Sequence, residues 1–484
     1  MKKKYGLFKV LAVMLFFIAA LTYVLKDRSG AKTFLALGDV FLNYLQSFYY
    51  FFDTALFILV VGGFYGVLNK IPAYKKMLKG IANKMEGKSK KFVIVVTILL
   101  AIVSSVTGLN TLLLLIVPMI VSIILLLGYD KLVALSATVV SISIGFMGGV
   151  FITTKDPASY YSVGYTTLDK LVGLSSNWAI LMPKILLFLL SLGLLLWYII
   201  SHIKSQNNEG SSYALTKNDT LLVEVKDKTG KEVKLSGRTF KWPLITILSI
   251  IFILLVLGYL PWNDLFGIDI FDKFHTWLTG LAIGDFAVFP NVVSANITAF
   301  GTWGGLGNYL VAIMLLVIFS LILTLIYGIK FDDAMDGFLY GVKKMLPSAI
   351  IAILAYTVLV CSYNHGFMEK LITMAGDKFG DNAIVHSVAT ILGSILSVDL
   401  YYVAASIFST ITSGLSESAN LSVYAVMFQS LYGLVQIIGP TSIMLIVGLT
   451  YLEVPYKTWL KYIWRLVVGL LIVSLIVLMI ISLL

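Results

Sequence analysis

FVIVVTILLAIVSSVTGLNTLLLLIVPMIVSIILLL, residues Phe92–Leu127, is an uncharged run of 36 residues. As one helix it would extend about 54 Å at 1.5 Å per residue, too long for one crossing of a hydrocarbon core about 30 Å thick. Two crossings would be cramped. The run is also broken at its middle by Ser104-Ser105-Val106-Thr107-Gly108-Leu109-Asn110-Thr111. It therefore reads as a re-entrant hairpin, two half-helices that meet at a polar tip and leave on the side they entered. Ser387–Leu415 is again too long for one comfortable crossing and again interrupted by polar residues.

These two runs belong to a pattern that occurs twice, from Thr54 and again from Ala349. Each copy has an apolar span, a polar amphipathic stretch, an interrupted apolar segment, and a long apolar segment containing Gly or Pro. Doubled units with interrupted segments at matching places mark secondary transporters and point to the binding site.

Composition agrees. Of 484 residues, 59% are hydrophobic and 13% charged, and the mean hydropathy is +0.94. Soluble domains hold about 45–50% apolar and about 25% charged residues. An all-α polytopic membrane protein is expected, with the lipid bilayer as a partner. The net charge of +11 does not imply nucleic acid, because the lysines gather between apolar runs, as in cytoplasmic loops. The single cysteine, Cys361, excludes an internal disulfide and a cysteine-based metal site. Lys2-Lys3-Lys4 precede an apolar run without a clear small-residue cleavage site, so an uncleaved first span with a cytoplasmic N-terminus is expected.

Loop charge sets the orientation. The segment Lys70–Lys91 carries eight Lys and one Glu, whereas Pro261–Gly307 carries Asp264, Asp269, Asp272 and Asp285 against Lys273. With the first loop inside and the second outside, the first hairpin enters from the cytoplasm and the second from outside. The halves are then inverted. The expected divisions are 1–51, a first span and outer amphipathic segment; 52–203, a first repeat with hairpin 92–127; and 204–241, a cytoplasmic insert. Residues 242–345 follow as central spans, and 346–484 as a second repeat with hairpin 387–415. Within the insert, Leu221–Leu235 alternates around Lys-Thr-Gly-Lys and reads as a small β-hairpin.

Broken helices survive in lipid only where protein or a watery cavity satisfies their backbone. Their N-terminal ends suit anions, and their C-terminal ends and unwound carbonyls suit Na⁺. Four patches follow. The first is Ser104, Ser105, Thr107, Gly108, Asn110 and Thr111, small polar groups able to hold a carboxylate. The second is Ser394, Ser397 and Asp399. An intramembrane acid is costly and marks function by default, so Asp399 is a candidate for a coupling ion or a substrate amine. The third is Gly439-Pro440-Thr441-Ser442, where proline breaks the helix. Gln429 and Gln436, seven apart, share a face of the same segment. The fourth is Gly145, Gly148, Gly149, Thr153 and Thr154, candidate coupling-ion ligands whose rival role is close packing. Gly62, Gly63 and Gly66 read as packing residues. No Lys or Arg is apparent in these patches, which favours an amino-acid cargo, or else Na⁺ bridging two carboxylates.

There is no Walker A loop, no dinucleotide fingerprint and no HExxH, and His202, His275, His365 and His386 lack ligand spacing. An enzyme is not expected, nor any cofactor or resident metal beyond Na⁺ as a coupling ion.

The stretches FILVVGGFYGVLNK (Phe57–Lys70), LGYDKLVAL (Leu127–Leu135), SIGFMGG (Ser143–Gly149) and GPTSIMLIVGLTYLEVPYKTWLKY (Gly439–Tyr462) resemble the YfcC-like membrane proteins. These are relatives of the anaerobic dicarboxylate carriers in the ion transporter superfamily. The resemblance covers most of the chain. It implies a dimeric, bacterial inner-membrane protein with two hairpins and inverted repeats, whose transport part moves like an elevator against a scaffold part. It carries the Pro-Thr-Ser break onto Pro440, Thr441 and Ser442 and the first hairpin tip onto Ser105–Thr111. The cargoes it implies are amino acids, as in arginine–ornithine exchange, or dicarboxylates. The expectation is a secondary active transporter of a small carboxylate-bearing metabolite, an exchanger or Na⁺/H⁺-coupled, with an amino acid favoured and a dicarboxylate as the alternative. A membrane scaffold that does not transport is the rival from another class.

Overall fold

The computed structural model describes residues 6–24, 34–150, 178–209, 238–260, 262–263, 267–294, 297–303, 309–398, 407, 409–415 and 421–483. The long apolar runs become helices because in lipid each backbone N–H and C=O must be bonded within the segment. The first half contains α1 (Gly6–Val24), α2 (Leu37–Tyr50), α3 (Phe52–Lys70) and α4 (Pro72–Lys84). Next come α5 (Ser89–Thr107), a 3-10 turn at Thr111–Leu115, and α6 (Val117–Leu126). Then α7 (Lys131–Met147), wound as a π-turn over Ser136–Val140, precedes α8 (Trp178–Glu209).

Between the halves lie α9 (Trp242–Tyr259), α10 (Ile270–Thr279) and α11 (Tyr309–Tyr327). A small strand ribbon, pairing Ala282 with Ala287 and Ile283 with Phe286, follows α10. The second half repeats the order of the first. It has α12 (Phe331–His365), α13 (Phe367–Phe379), α14 (Ala383–Leu396) and α15 (Ser409–Gly414). A helix broken into α16 (Leu421–Ile438) and α17 (Ile443–Tyr451) precedes α18 (Tyr456–Leu483).

Burial separates the centre from the lipid face. Segments α3, α12 and Val423–Tyr451 are 78%, 72% and 89% buried, against 28–39% for the other spanning segments among the described residues. The outer helices turn Phe16, Phe17, Leu189, Trp197, Leu325 and Met479 outward, as suits a hydrocarbon surround.

The repeats are inverted, and the pairings of equivalent helices show it. In the crossing of α3 and α12, Gly62 abuts Gly341 while Gly66 abuts Gly337, so the two helices run antiparallel. Likewise Met147 of α7 meets Gly433 of α16, and Leu135 meets Gly448 of α17. Tyr198 of α8 meets Tyr462 of α18, and Leu194 meets Gly469. The α3–α12 crossing depends on missing side chains. A Cβ on Gly66 would lie 2.0 Å from the Gly337 carbonyl oxygen, and one on Gly341 would lie 1.9 Å from that of Gly62. The glycines of α3 are packing residues, as their spacing suggests.

Hairpin α5–α6 closes on itself at its feet, where the Tyr129 hydroxyl meets Ser89 Oγ at 2.9 Å. Two boundaries differ from the sequence divisions. Helix α12 is continuous through residue 345 and past Pro347, and α8 runs through 203 to Glu209. Apolar content does not register the polar ends of long helices, so spans read from it stop short. The β-hairpin expected at Leu221–Leu235 lies outside the described residues.

Candidate functional site

The first hairpin tip is built around Gly108, whose φ of +68° places it in the left-handed region where glycine carries no Cβ penalty. It caps α5 by donating to the Ser104 carbonyl at 2.9 Å. Thr107 Oγ1 donates to the Val103 carbonyl at 2.6 Å and accepts from Leu109 N at 3.1 Å. Ser104 Oγ donates to the Ile142 carbonyl at 2.9 Å, and Ser105 Oγ to that of Gly148 at 3.2 Å. Val150 N donates to the Ser105 carbonyl at 2.9 Å. The first and fourth patches are thus one assembly, with the tip lashed to the end of α7. Gly145 permits the approach, since a Cβ there would lie 2.3 Å from the Ala101 carbonyl oxygen. The hydroxyls of Ser104, Ser105 and Thr107 therefore hold the tip together and are already engaged. Thr111 opens the 3-10 turn.

The second and third patches form the other assembly. The break spans Gly439-Pro440-Thr441-Ser442 between α16 and α17. Thr441 Oγ1 donates to the carbonyls of Ile395 at 2.8 Å and Ser397 at 3.2 Å, tying the break to the second hairpin. Ser442 caps α17, its Oγ accepting from Leu445 N at 3.4 Å. The break was expected to free carbonyls for Na⁺. Instead the Ile437 carbonyl accepts from Trp459 Nε1 at 3.0 Å and that of Ile438 from the Tyr456 hydroxyl at 2.5 Å. Asp399, Thr153 and Thr154 lie outside the described residues.

Helix α16 joins the two assemblies. Gln429 Nε2 donates to the carbonyls of Gly149 at 2.6 Å and Phe146 at 3.2 Å. The Tyr432 ring lies tilted 5.4 Å from that of Phe146 and its hydroxyl donates to the Val398 carbonyl at 3.3 Å, touching both assemblies. Four buried polar atoms here have no hydrogen-bond partner among the described residues: Asn110 Oδ1 at the first tip, Ser394 Oγ on α14, and Gln429 Oε1 and Gln436 Nε2 on α16. Buried polar groups are almost always paired, so these unpaired atoms on the first tip, α14 and α16 are candidates for a polar ligand.

Two contributors escaped the sequence reading. Tyr432 looks like an ordinary aromatic in an apolar run. Lys184 is a buried basic residue of α8, and its backbone carbonyl lies where a Cβ on Gly148 would meet it at 2.8 Å. The signal was present, since Lys184 is a charge inside the apolar run Trp178–Ile200, which is functional by default.

At the other end of α7, Asp130 caps the helix through Val133 N at 2.8 Å and meets His202 Nε2 at 3.2 Å, while Lys131 Nζ donates to the Leu452 carbonyl at 2.8 Å.

Corresponding helices of the two halves packed antiparallel, a hairpin tip docked on the end of α7, and a helix break tied to α14 belong to a polytopic membrane protein. The sequence profile of the C4-dicarboxylate anaerobic carrier family matches residues 50–483, and the chain belongs to that family, one of transporters rather than enzymes. No individual curated protein matches it.

Proposed function

We propose that the chain is a secondary carrier of a C4-dicarboxylate in the bacterial cytoplasmic membrane, with its N-terminus inside, working as a homodimer. The observation that carries this reading is the set of unpaired atoms of Asn110, Ser394, Gln429 and Gln436 between the hairpin assemblies. The start of α17 at Ser442 adds a partial positive charge suited to a carboxylate. The hairpins are re-entrant, one from each side, and their tips meet the cargo. An apolar cleft separates Ile58, Val61 and Met345 of α3 and α12 from Val121, Val139 and Val447 of the hairpin and broken-helix body. Such a seam carries few polar contacts to break when one body slides on the other. Exchange of one dicarboxylate for another is the transport mode, with Na⁺ or H⁺ coupling as the variant to test and Asp399 as its candidate ligand.

The test is counterflow in proteoliposomes with labelled succinate, fumarate, arginine and ornithine, with and without Na⁺ and pH gradients. Accumulation of a C4-dicarboxylate that falls at least tenfold in Asn110→Ala and Gln436→Ala supports the reading. Trapping of an amino acid instead assigns the other cargo class. No counterflow by folded protein leaves the non-transporting scaffold.

A further inference from the structure

Among the described residues two basic side chains are buried, Lys131 and Lys184. Lys131 has the Leu452 carbonyl as acceptor. Lys184 is 3% exposed, and no acceptor or carboxylate among the described residues meets its ammonium. A buried charge left without a counter-charge is strongly destabilising, and an intramembrane lysine is retained for a reason.

Its level in the fold gives that reason. Helices α7 and α8 run antiparallel in constant register. They meet at Asp130 and His202 and again at Gly148 and Lys184, eighteen residues further along one and eighteen back along the other, about 27 Å at the helical rise. The first hairpin tip stands at a similar height, since Ser105 is sixteen residues, about 24 Å, from the foot of α5 at Ser89. Ser105 Oγ and Lys184 reach the same residue, Gly148, one by a hydrogen bond to its carbonyl and the other by backbone packing. Helix α8 therefore brings the buried Lys184 to the level of the docked tip.

We infer that Lys184 supplies the charge that holds one carboxylate of a dianionic cargo, and so sets the preference for two carboxylates over one. The inference rests on the dicarboxylate reading above. Helix ends contribute roughly half a charge each, too little for a dianion without a full cation. An amino-acid cargo would bring its own ammonium toward that of Lys184, and like charges repel.

Wild-type protein, Lys184→Gln, Lys184→Met and Lys184→Arg are reconstituted. Each is assayed for counterflow of succinate and of succinamate, in which one carboxylate becomes a neutral amide. Melting of the purified protein is followed with each ligand. Wild type is expected to prefer succinate at least tenfold. Lys184→Gln and Lys184→Met are expected to raise the KM for succinate at least tenfold, to abolish the preference, and to lose the thermal stabilisation by succinate while the ligand-free protein melts no lower. Lys184→Arg keeps part of the preference. Variants with an unchanged preference overturn the inference alone, leaving the dicarboxylate carrier standing. Variants that melt lower with that preference intact make Lys184 structural and likewise overturn it. A wild type without dicarboxylate flux overturns both readings.

Discussion

Thr441 shows how a single hydroxyl positions a site. Its Oγ1 lies 2.8 Å from the Ile395 carbonyl and 3.2 Å from that of Ser397, joining a broken helix to a hairpin. Thr441→Val keeps the shape and removes the link, leaving buried acceptors that cost about 1–3 kcal/mol. Transport is expected to fall at least tenfold while the protein elutes as the same species on size exclusion; unchanged flux would deny the break its positioning role. Gln429→Leu strips the partner from two carbonyls, those of Phe146 and Gly149. It should lower both melting temperature and flux, whereas Thr111→Ala, at a position without such a link, should spare the melting temperature. At this scale the sequence identified polar residues at the breaks but not their duties. Ser104, Ser105 and Thr107 read as ligands because hydroxyls near a glycine suit an anion, yet each spends its hydrogen on a carbonyl. Which carbonyl lies opposite is decided by the docking of another helix, and no local pattern records it. Lys184 was legible as a charge in an apolar run but not as a neighbour of Gly148, thirty-six positions earlier.

Helix pairs carry the next level. Where α3 crosses α12, the backbones approach so closely that a Cβ on Gly66 would sit 2.0 Å from a carbonyl oxygen. Gly66→Ala therefore forces two of the most buried helices apart. It is expected to lower the melting temperature by several degrees and to cut expression of folded protein. Gly38→Ala on α2, where no atom lies within 4 Å, is the control. It should be neutral or stabilising by up to about 1 kcal/mol, since alanine is the better helix former. A Gly66→Ala protein that melts like wild type would refute the close crossing. Elements were largely readable from sequence, because in lipid an apolar run has no alternative to a helix. The breaks were readable too, through Gly108 and Pro440. Polar helix ends such as Phe331–Lys344 and Ser201–Glu209 were not, since their polar and charged residues carry no hydropathy signal.

The whole molecule poses the question of what moves. Loop charges lead to an expectation of inversion, and corresponding helices of the two halves pack antiparallel, but any division into moving parts needs the packing. Lateral contact between α3–α12 and the hairpin runs mostly through apolar side chains, Ile58 and Val61 on one side and Val139 and Val447 on the other, with the Tyr65 hydroxyl donating to the Leu115 carbonyl beside them. By contrast, α8 and α18 pack directly on one another, where a Cβ on Gly469 would lie 2.8 Å from Leu194 Cδ2. The single cysteine, Cys361, is buried, so a Cys361→Ala background is simple to make. In it, Ile58→Cys paired with Val447→Cys straddles the cleft, and bridging the pair with Hg²⁺ is expected to arrest counterflow, with recovery when dithiothreitol removes the bridge. Leu194→Cys paired with Gly469→Cys lies within one body, and its bridge should leave flux near that of the untreated protein. If bridging across the cleft spares transport, the two bodies do not slide past one another and the hairpins alone must gate the site. If both bridges arrest it, the boundary between moving and fixed parts runs between α8 and α18 instead.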